Sequence, residues 1–302
     1  MNLSTRTSVL LAVIWLIALT TVLVFFLRVG DRHIVIAAGL RIGDSFDLAS
    51  SIARVLEERH PGTEVEVFET HGSSENVRLL QDGHADFATM QSDVASDGSV
   101  HVVASLYFDA YQLVVAEESS IQHPADLVGH RVAIGPRGSG HYESFWFLID
   151  HYGVPRDQLV AMPMSAEAAN FAMRHGLVDA IFRVHAVGNE GIRELAHRMP
   201  VRIVPIVQAE ALSIKHPAVT AGAIARGAYR GYPPIPEDAQ PTAMVERFLV
   251  ARADLDVSLV RDFTRTLFEE RAQLISENAL AGFIAAPNVD GKLVSCPSNS
   301  FT

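Results

Sequence analysis

The chain has 302 residues, 49% of them hydrophobic, with a net charge of −11 and one cysteine. A lone cysteine excludes an intramolecular disulfide, so the fold rests on its apolar core. The acidic balance argues against nucleic acid and anionic lipid as partners, because both would repel it.

Ser8 to Leu27 forms a run of 20 residues without a charge. At about 1.5 Å per residue, a helix of that length spans roughly 30 Å, one bilayer core. A cleaved signal peptide is the alternative, but its apolar region is usually shorter and ends in small residues. Here the run ends Val24-Phe25-Phe26-Leu27-Arg28, and no cysteine stands just after it for a lipid anchor, the only one being Cys296. The short N-terminal side carries Arg6 and no acid, which keeps it cytoplasmic. The sequence therefore predicts an uncleaved anchor over 1–28 in a bacterial inner membrane, with the bulk of the chain in the periplasm. Arg6 and Arg28 are the only charges in that anchor, so the exported part carries 22 basic against 35 acidic residues, net −13.

Beyond the anchor, β-rich apolar runs alternate with amphipathic ones. Strands are expected at His33–Ala38, Glu64–Glu69, Ala85–Met90, Val102–Leu106, Gln112–Val115 and Arg131–Ile134. Further strands fit Leu159–Met162, Ala180–Val184, Val201–Ile206 and Phe248–Ala251. Helices are expected at Phe46–His60, Ser74–Asp82, His141–His151, Ala166–His175 and Leu259–Ser276. Leu48, Ile52, Val55 and Leu56 share one stripe of the first of these, and Pro61-Gly62 ends it. Gly222–Pro241 reads as a long surface loop, and the Pro-, Asn- and Ser-rich tail beyond Ala286 as poorly ordered. This alternation predicts an α/β fold with mainly parallel sheets. A weak internal echo, Leu80–Ala88 against Met173–Ile181, hints at two similar lobes.

Three turns between a strand and a helix carry the main functional signal. They are Gly39–Phe46, Glu69–Ser74 and Gly135–Gly140. Free N–H groups at a helix start carry partial positive charge and suit a carboxylate or phosphate. Glycine allows close backbone approach, as at Gly138 and Gly140, and Ser45, Ser73 and Ser139 add hydroxyl donors. Ordinary capping by Asp44, Ser45, Ser73 and Ser74 is the competing account. Arg41 and Arg183 are candidate charge partners. Arg183 interrupts the apolar strand Ala180–Val184, so it needs a carboxylate, either from a ligand or from an internal acid such as Glu143 or Glu190. Gln91 and Ser92 follow a strand end, where open α/β sheets bind ligands, though a polar turn explains them too. Phe46 and Tyr142 are candidate cleft walls or core residues. Arg137 is expected to face solvent.

Enzyme signatures are absent: there is no G-x-S-x-G elbow, no P-loop and no H-E-x-x-H. Gly135-x-x-Gly138-x-Gly140 is not the dinucleotide fingerprint, and the 13 histidines lack paired metal spacing. No cofactor, metal or catalytic residue is expected.

The stretches GLRIGDSFDLASSIA, ETHGSSENVRLLQDGHADFATMQSDVA, ASLYFDAYQLVV, DLVGHRVAIGPRGSGHYESF, GLVDAIFRVHAVGNEGI and ARGAYRG resemble the TAXI-type solute-binding subunits of TRAP transporters. They run in family order from about Ile34 to Leu274. The resemblance implies a type II periplasmic-binding fold of two α/β lobes joined by two crossover strands. Lobe one would comprise 29–108 and 213–302, and lobe two 109–212, with the crossovers near Phe108–Gln112 and Ile206–Leu212. It also implies capture of a small anion, such as 2-oxoglutarate, glutamate or a C4-dicarboxylate, and its delivery to TRAP membrane subunits driven by an ion gradient. Arg41 and Arg183 depart from the common pattern, and both are expected to add positive charge to the cleft. A sensor without a transporter, or an exported enzyme on the same fold, is the remaining alternative.

Overall fold

The computed structural model describes residues 3–28 and 32–287, apart from 42, 95 and 97. The expected loose tail from 288 onward, with Cys296, lies outside the described residues. Helix α1 runs Leu3–Arg28. Its side chains at 10–20 are described, and all are exposed. That stretch is about half of the roughly 20 residues that a bilayer core requires. Among the described residues, no helix is long and apolar enough to cross a membrane. The case for the anchor therefore rests on the sequence.

The first lobe opens with β1 (Arg32–Gly39), α2 (Asp44–Arg59), β2 (Thr63–Glu69), α3 (Ser73–Gln81) and β3 (Phe87–Gln91). Strand β1 lies between β2 and β3, and both pairings are parallel. Helix α2 packs because Leu48, Ala49, Ile52, Val55 and Leu56 recur at helical spacing and are buried. Strand β4 (Val100–Ala116) then carries the chain out of this lobe. The two strands expected at Val102–Leu106 and Gln112–Val115 are thus one strand of 17 residues. Asp109 lies between the two expected stretches, buried against Arg247, and the ladder runs through it.

The second lobe follows as β5 (Arg131–Ile134), α4 (Gly140–His151), β6 (Val160–Pro163), α5 (Ala166–Arg174), β7 (Ala180–Ala186), α6 (Glu190–Arg198), β8 (Val201–Val204), α7 (Ala209–Lys215) and β9 (Val219–Ile224). A small hairpin, β10 (Arg230–Gly231) and β11 (Pro234–Ile235), precedes the long β12 (Gln240–Arg252). Strand β12 returns the chain to lobe one, where α8 (Val257–Glu269) and α9 (Arg271–Glu277) pack on α2 through Phe263, Leu267 and Leu274. The main strand path is β2-β1-β3-β12-β4-β7-β5-β6, with β8 on β4 and β9 on β12. The parallel strands sit in the lobes, and the two crossover strands run antiparallel to each other between them.

Three expectations change. The chain recrosses along β12, not at Ile206–Leu212: Ile206, Leu212, Val219 and Ala243 all belong to the core of lobe two. The Gly- and Pro-rich segment Gly222–Pro241 is not a free loop, because Ile224, Tyr229 and Ile235 are buried in that lobe. The helix expected over Leu259–Ser276 breaks at Glu270, which ends α8 and begins α9.

Candidate functional site

The lobes face each other across a cleft of about 520 Å³, within the usual range for a small-molecule site. All three strand-to-helix turns contribute to it. Gly43 and Asp44 come from the first, His71, Gly72 and Ser73 from the second, and Gly135, Ser139 and Gly140 from the third. The starts of α2 and α3 have glycine caps, Gly43 and Gly72, and neither has a side-chain cap bond. The expected capping residues Asp44, Ser45, Ser73 and Ser74 lie inside the helices instead. Gly72 has φ +122°, open to glycine, and its turn faces Ser139 of the other lobe. Of these three helix starts only that of α4 is capped, by Ser139 Oγ accepting from Tyr142 N at 3.2 Å.

Several buried polar groups line this space. Gln91 is fully buried, and both ends of its amide lack a protein partner. A buried polar group without a partner is rare and costly. Arg183 is 3% exposed and donates only to carbonyls, of Phe182 at 3.3 Å and Ser165 at 3.2 Å. No acid pairs with it among the described residues; Glu190 pairs with Arg193, and Glu143 is exposed. Burial pulls the Arg183 pKa down to about 10, against the opposing charge of Glu167. Ser45 shares a hydrogen bond of 3.0 Å with the Tyr107 hydroxyl. Ser73 Oγ accepts from Gln91 N at 3.1 Å and from Arg247 Nη1 at 3.3 Å.

The lobes also meet across the cleft. The carboxylate of Asp44 accepts from Asn189 Nδ2 at 3.0 and 3.1 Å, and His185 Nδ1 lies 3.4 Å from it. Burial alone would raise the Asp44 carboxyl, but the His185 hydrogen bond and charge, then Asn189, hold it below the ordinary range. His141 stacks edge-on against His185, with centroids 4.7 Å apart. Its enclosure, then the charges of His185, Arg247 and Arg183, push its pKa well below the ordinary value. Asp93 accepts from Ser144 Oγ at 2.6 Å and Tyr111 Oη at 3.1 Å, a further tie between lobes.

Of the residues singled out from sequence, Ser45, Ser73, Gln91, Ser139, Gly140 and Arg183 line the cleft. Five do not. Arg41 is exposed and paired with Glu69 at 3.4 Å, so it adds no charge to the cleft. Phe46 turns into the core of lobe one, and the Arg41 guanidinium lies 5.1 Å from its ring centroid. Ser92 is fastened to β12, accepting from Glu246 N and donating to Ala218 O, each at 3.0 Å. Gly138 has φ +81° and serves the turn itself. Tyr142 packs on the core of lobe two and accepts from Arg137 at 3.1 Å.

Sequence reading missed Asp44 as a bridging acid, and His141, His185, Asn189 and Arg247 altogether. His185 had a signal, because it lies two residues after Arg183 on the same strand and so shares its face. Arg247 looked like the edge of a strand that in fact begins seven residues earlier, at Gln240. Among the described residues, no group of three His, Cys, Asp or Glu is placed to hold a metal ion.

The sequence profile of the NMT1-like family matches residues 36–296. Several solved structures share the fold. XAC2383 from Xanthomonas citri, bound to ATP, has a TM-score of 0.55 at 12% identity, over 84% of this chain and 90% of that one. The alkanesulfonate-binding protein SsuA from Xanthomonas axonopodis pv. citri, bound to MOPS, has a TM-score of 0.51 at 17% identity, over 85% and 81%. The effector binding domain of a BenM variant has a TM-score of 0.51 at 13% identity, over 85% and 100%. At such identities the likeness is one of architecture, the two-lobed α/β fold of periplasmic binding proteins. With the profile match spanning most of its length, the chain belongs to the NMT1-like family.

Proposed function

From membership of that family and from the cleft, we propose that the protein is an extracytoplasmic solute-binding protein for a small carboxylate. The observation that carries this is Arg183: a buried guanidinium lines the cleft and has no acid partner among the described residues. A ligand carboxylate would supply the missing charge and take two parallel N–H bonds. Gln91, with an unpartnered amide in the same cleft, and the uncapped helix starts at Gly43 and Gly72 would bind its other polar atoms. The groups described above are suited to holding a ligand, so the proposed role is binding, not turnover.

The TAXI-like stretches favour 2-oxoglutarate, glutamate or a C4-dicarboxylate as ligand, and a TRAP-type membrane subunit as the partner that receives it. The uncharged run Ser8–Leu27 favours a tether to the inner membrane, with the lobes on the periplasmic side. A thermal-shift screen of mono- and dicarboxylates, with alkanesulfonates as the competing anion class, tests the reading. A ligand at 100 times its Kd stabilises by about 2.7 kcal/mol. Stabilisation by a carboxylate supports it. Stabilisation by sulfonates alone reassigns the ligand, and no response to any anion overturns it.

A further inference from the structure

Two buried arginines line the cleft, Arg183 of β7 and Arg247 of β12, and their charges are handled differently. Arg183 has no ion pair among the described residues. Arg247 is held by Asp109 of β4, which is 1% exposed: Nε and Nη2 both donate to Oδ2, at 2.9 and 2.5 Å. Nη1 donates to Ser73 Oγ at 3.3 Å. A guanidinium has five N–H groups, so two remain on a side chain that borders the cleft. Asp109 meanwhile uses one oxygen for both bonds and leaves Oδ1 buried without a partner. A pair serving packing alone would be expected to satisfy both oxygens. The charges of Arg247 and Arg183 both bear on His141, so the two guanidiniums act on one region of the cleft.

We propose that Arg247 is a second ligand-binding residue, taking an anionic group at the far end of a ligand whose first carboxylate sits on Arg183, and that Asp109 is its positioning residue. The ligand class narrows to small dianions. This rests on the carboxylate reading of the cleft. Because Arg247 and Asp109 join the two crossover strands, a dianion drawn to Arg247 would bear directly on the strands that connect the lobes.

The test compares succinate and 2-oxoglutarate with their monomethyl esters, by calorimetry on the full chain. Each ester keeps one carboxylate and lacks the second charge. The wild type should prefer the better diacid over its ester by about tenfold or more, the scale of one charge-assisted pair. Arg247→Gln alone would strand Asp109, so the informative variant is Asp109→Asn with Arg247→Gln, which leaves no unpaired charge. In it the preference should collapse towards one while the ester still binds. Asp109→Asn alone removes the carboxylate that holds Arg247 in place and should lower diacid affinity without lowering that of the ester. A double variant that keeps the full preference, or loses diacid and ester equally, overturns the role of Arg247 while the carboxylate reading stands. An Asp109→Asn protein that keeps the full diacid preference, or that loses diacid and ester equally, overturns the positioning role. If neither diacid binds the wild type, both this inference and the dicarboxylate ligands fall. If sulfonates alone bind, the carboxylate reading falls with them.

Discussion

A buried arginine usually marks a demand for a particular partner, because an uncompensated charge in a dry site is expensive. Arg183 meets only two carbonyls. Replacing it with Met keeps an apolar stem in β7 and removes the charge. Carboxylate affinity should fall by about 30-fold or more, from the loss of a pair that contributes roughly 2–5 kcal/mol. Calorimetry measures it, and unchanged affinity would reduce Arg183 to a packing residue. Gly140 gives a second handle. A Cβ there would overlap Gln91 Oε1, the mobile end of a side chain, so Gly140→Ala should push the amide aside rather than unfold the helix. Ligand affinity should drop by about tenfold, near the value of one or two hydrogen bonds, with little change in Tm. A large fall in Tm would show that the backbone yields instead. At this scale the sequence was informative where a residue broke its local pattern. Arg183 stood out in an apolar strand, and Ser73 and Ser139 stood at helix starts. Arg41 and Phe46 also sat in such a turn, but Glu69 lay close enough to take Arg41 to the surface. His141, Asp109 and Arg247 were silent, because their meaning comes from partners as distant in the chain as 174 residues.

Among the elements, the parallel strands and their helices were legible because each is short, local and amphipathic or uniformly apolar. The crossover strands were not. Strand β4 carries Asp109 in its middle, and β12 mixes Gln240, Thr242, Glu246 and Arg247 into the stretch before its apolar run Phe248–Ala251. Both patterns make sense only when the two strands lie side by side. Their pairing also brings a carboxyl with unusual titration into the hinge. Burial pushes Asp109 up to about 6, outweighing the Arg247 and His185 charges; Asp44 from α2 adds to the rise. Arg247 faces it from β12, His185 from β7 and Tyr107 from its own strand. A carboxyl raised above its free value of 3.8 favours folding while protonated. That contribution is present in full below about pH 3.8 and is lost as pH rises through about 6. Asp109→Asn lacks the titration, so the Tm of wild type minus variant should shrink as pH is raised from about 4 to about 7. A difference that widens over the same range would mean that folding favours the ionised form.

For the whole molecule, the alternation of strands and helices was enough to predict α/β lobes, while the return point was misjudged because glycine and proline in 222–241 mimicked a loop. The proposed exported location rests on a feature outside the lobes. If the uncharged run Ser8–Leu27 is a retained anchor, N-terminal sequencing of protein from its native membrane should find the chain beginning at or next to Met1. A mature chain starting near Gly30 would make it a signal peptide. Among the described residues the chain passes between the lobes along β4 and β12, and in this structure the lobes already touch across the cleft. Asp44 meets His185 and Asn189, and Gly72 faces Ser139. These contacts are polar, and Gln91, which lines the same cleft, has a buried amide without a protein partner. Without ligand, then, little holds the lobes shut, and an open population is expected. With ligand, each lobe gains bonds that exist only when both are in reach, which drives hinge closure. The turning point should be the paired centres of β4 and β12 near Asp109 and Arg247, not the segment after Ile206. Small-angle scattering with and without saturating dicarboxylate should register a smaller radius of gyration in the bound state. Identical curves, with binding confirmed by calorimetry, would mean that the cleft is preformed and that the contacts between Asp44, His185 and Asn189 hold it shut without help.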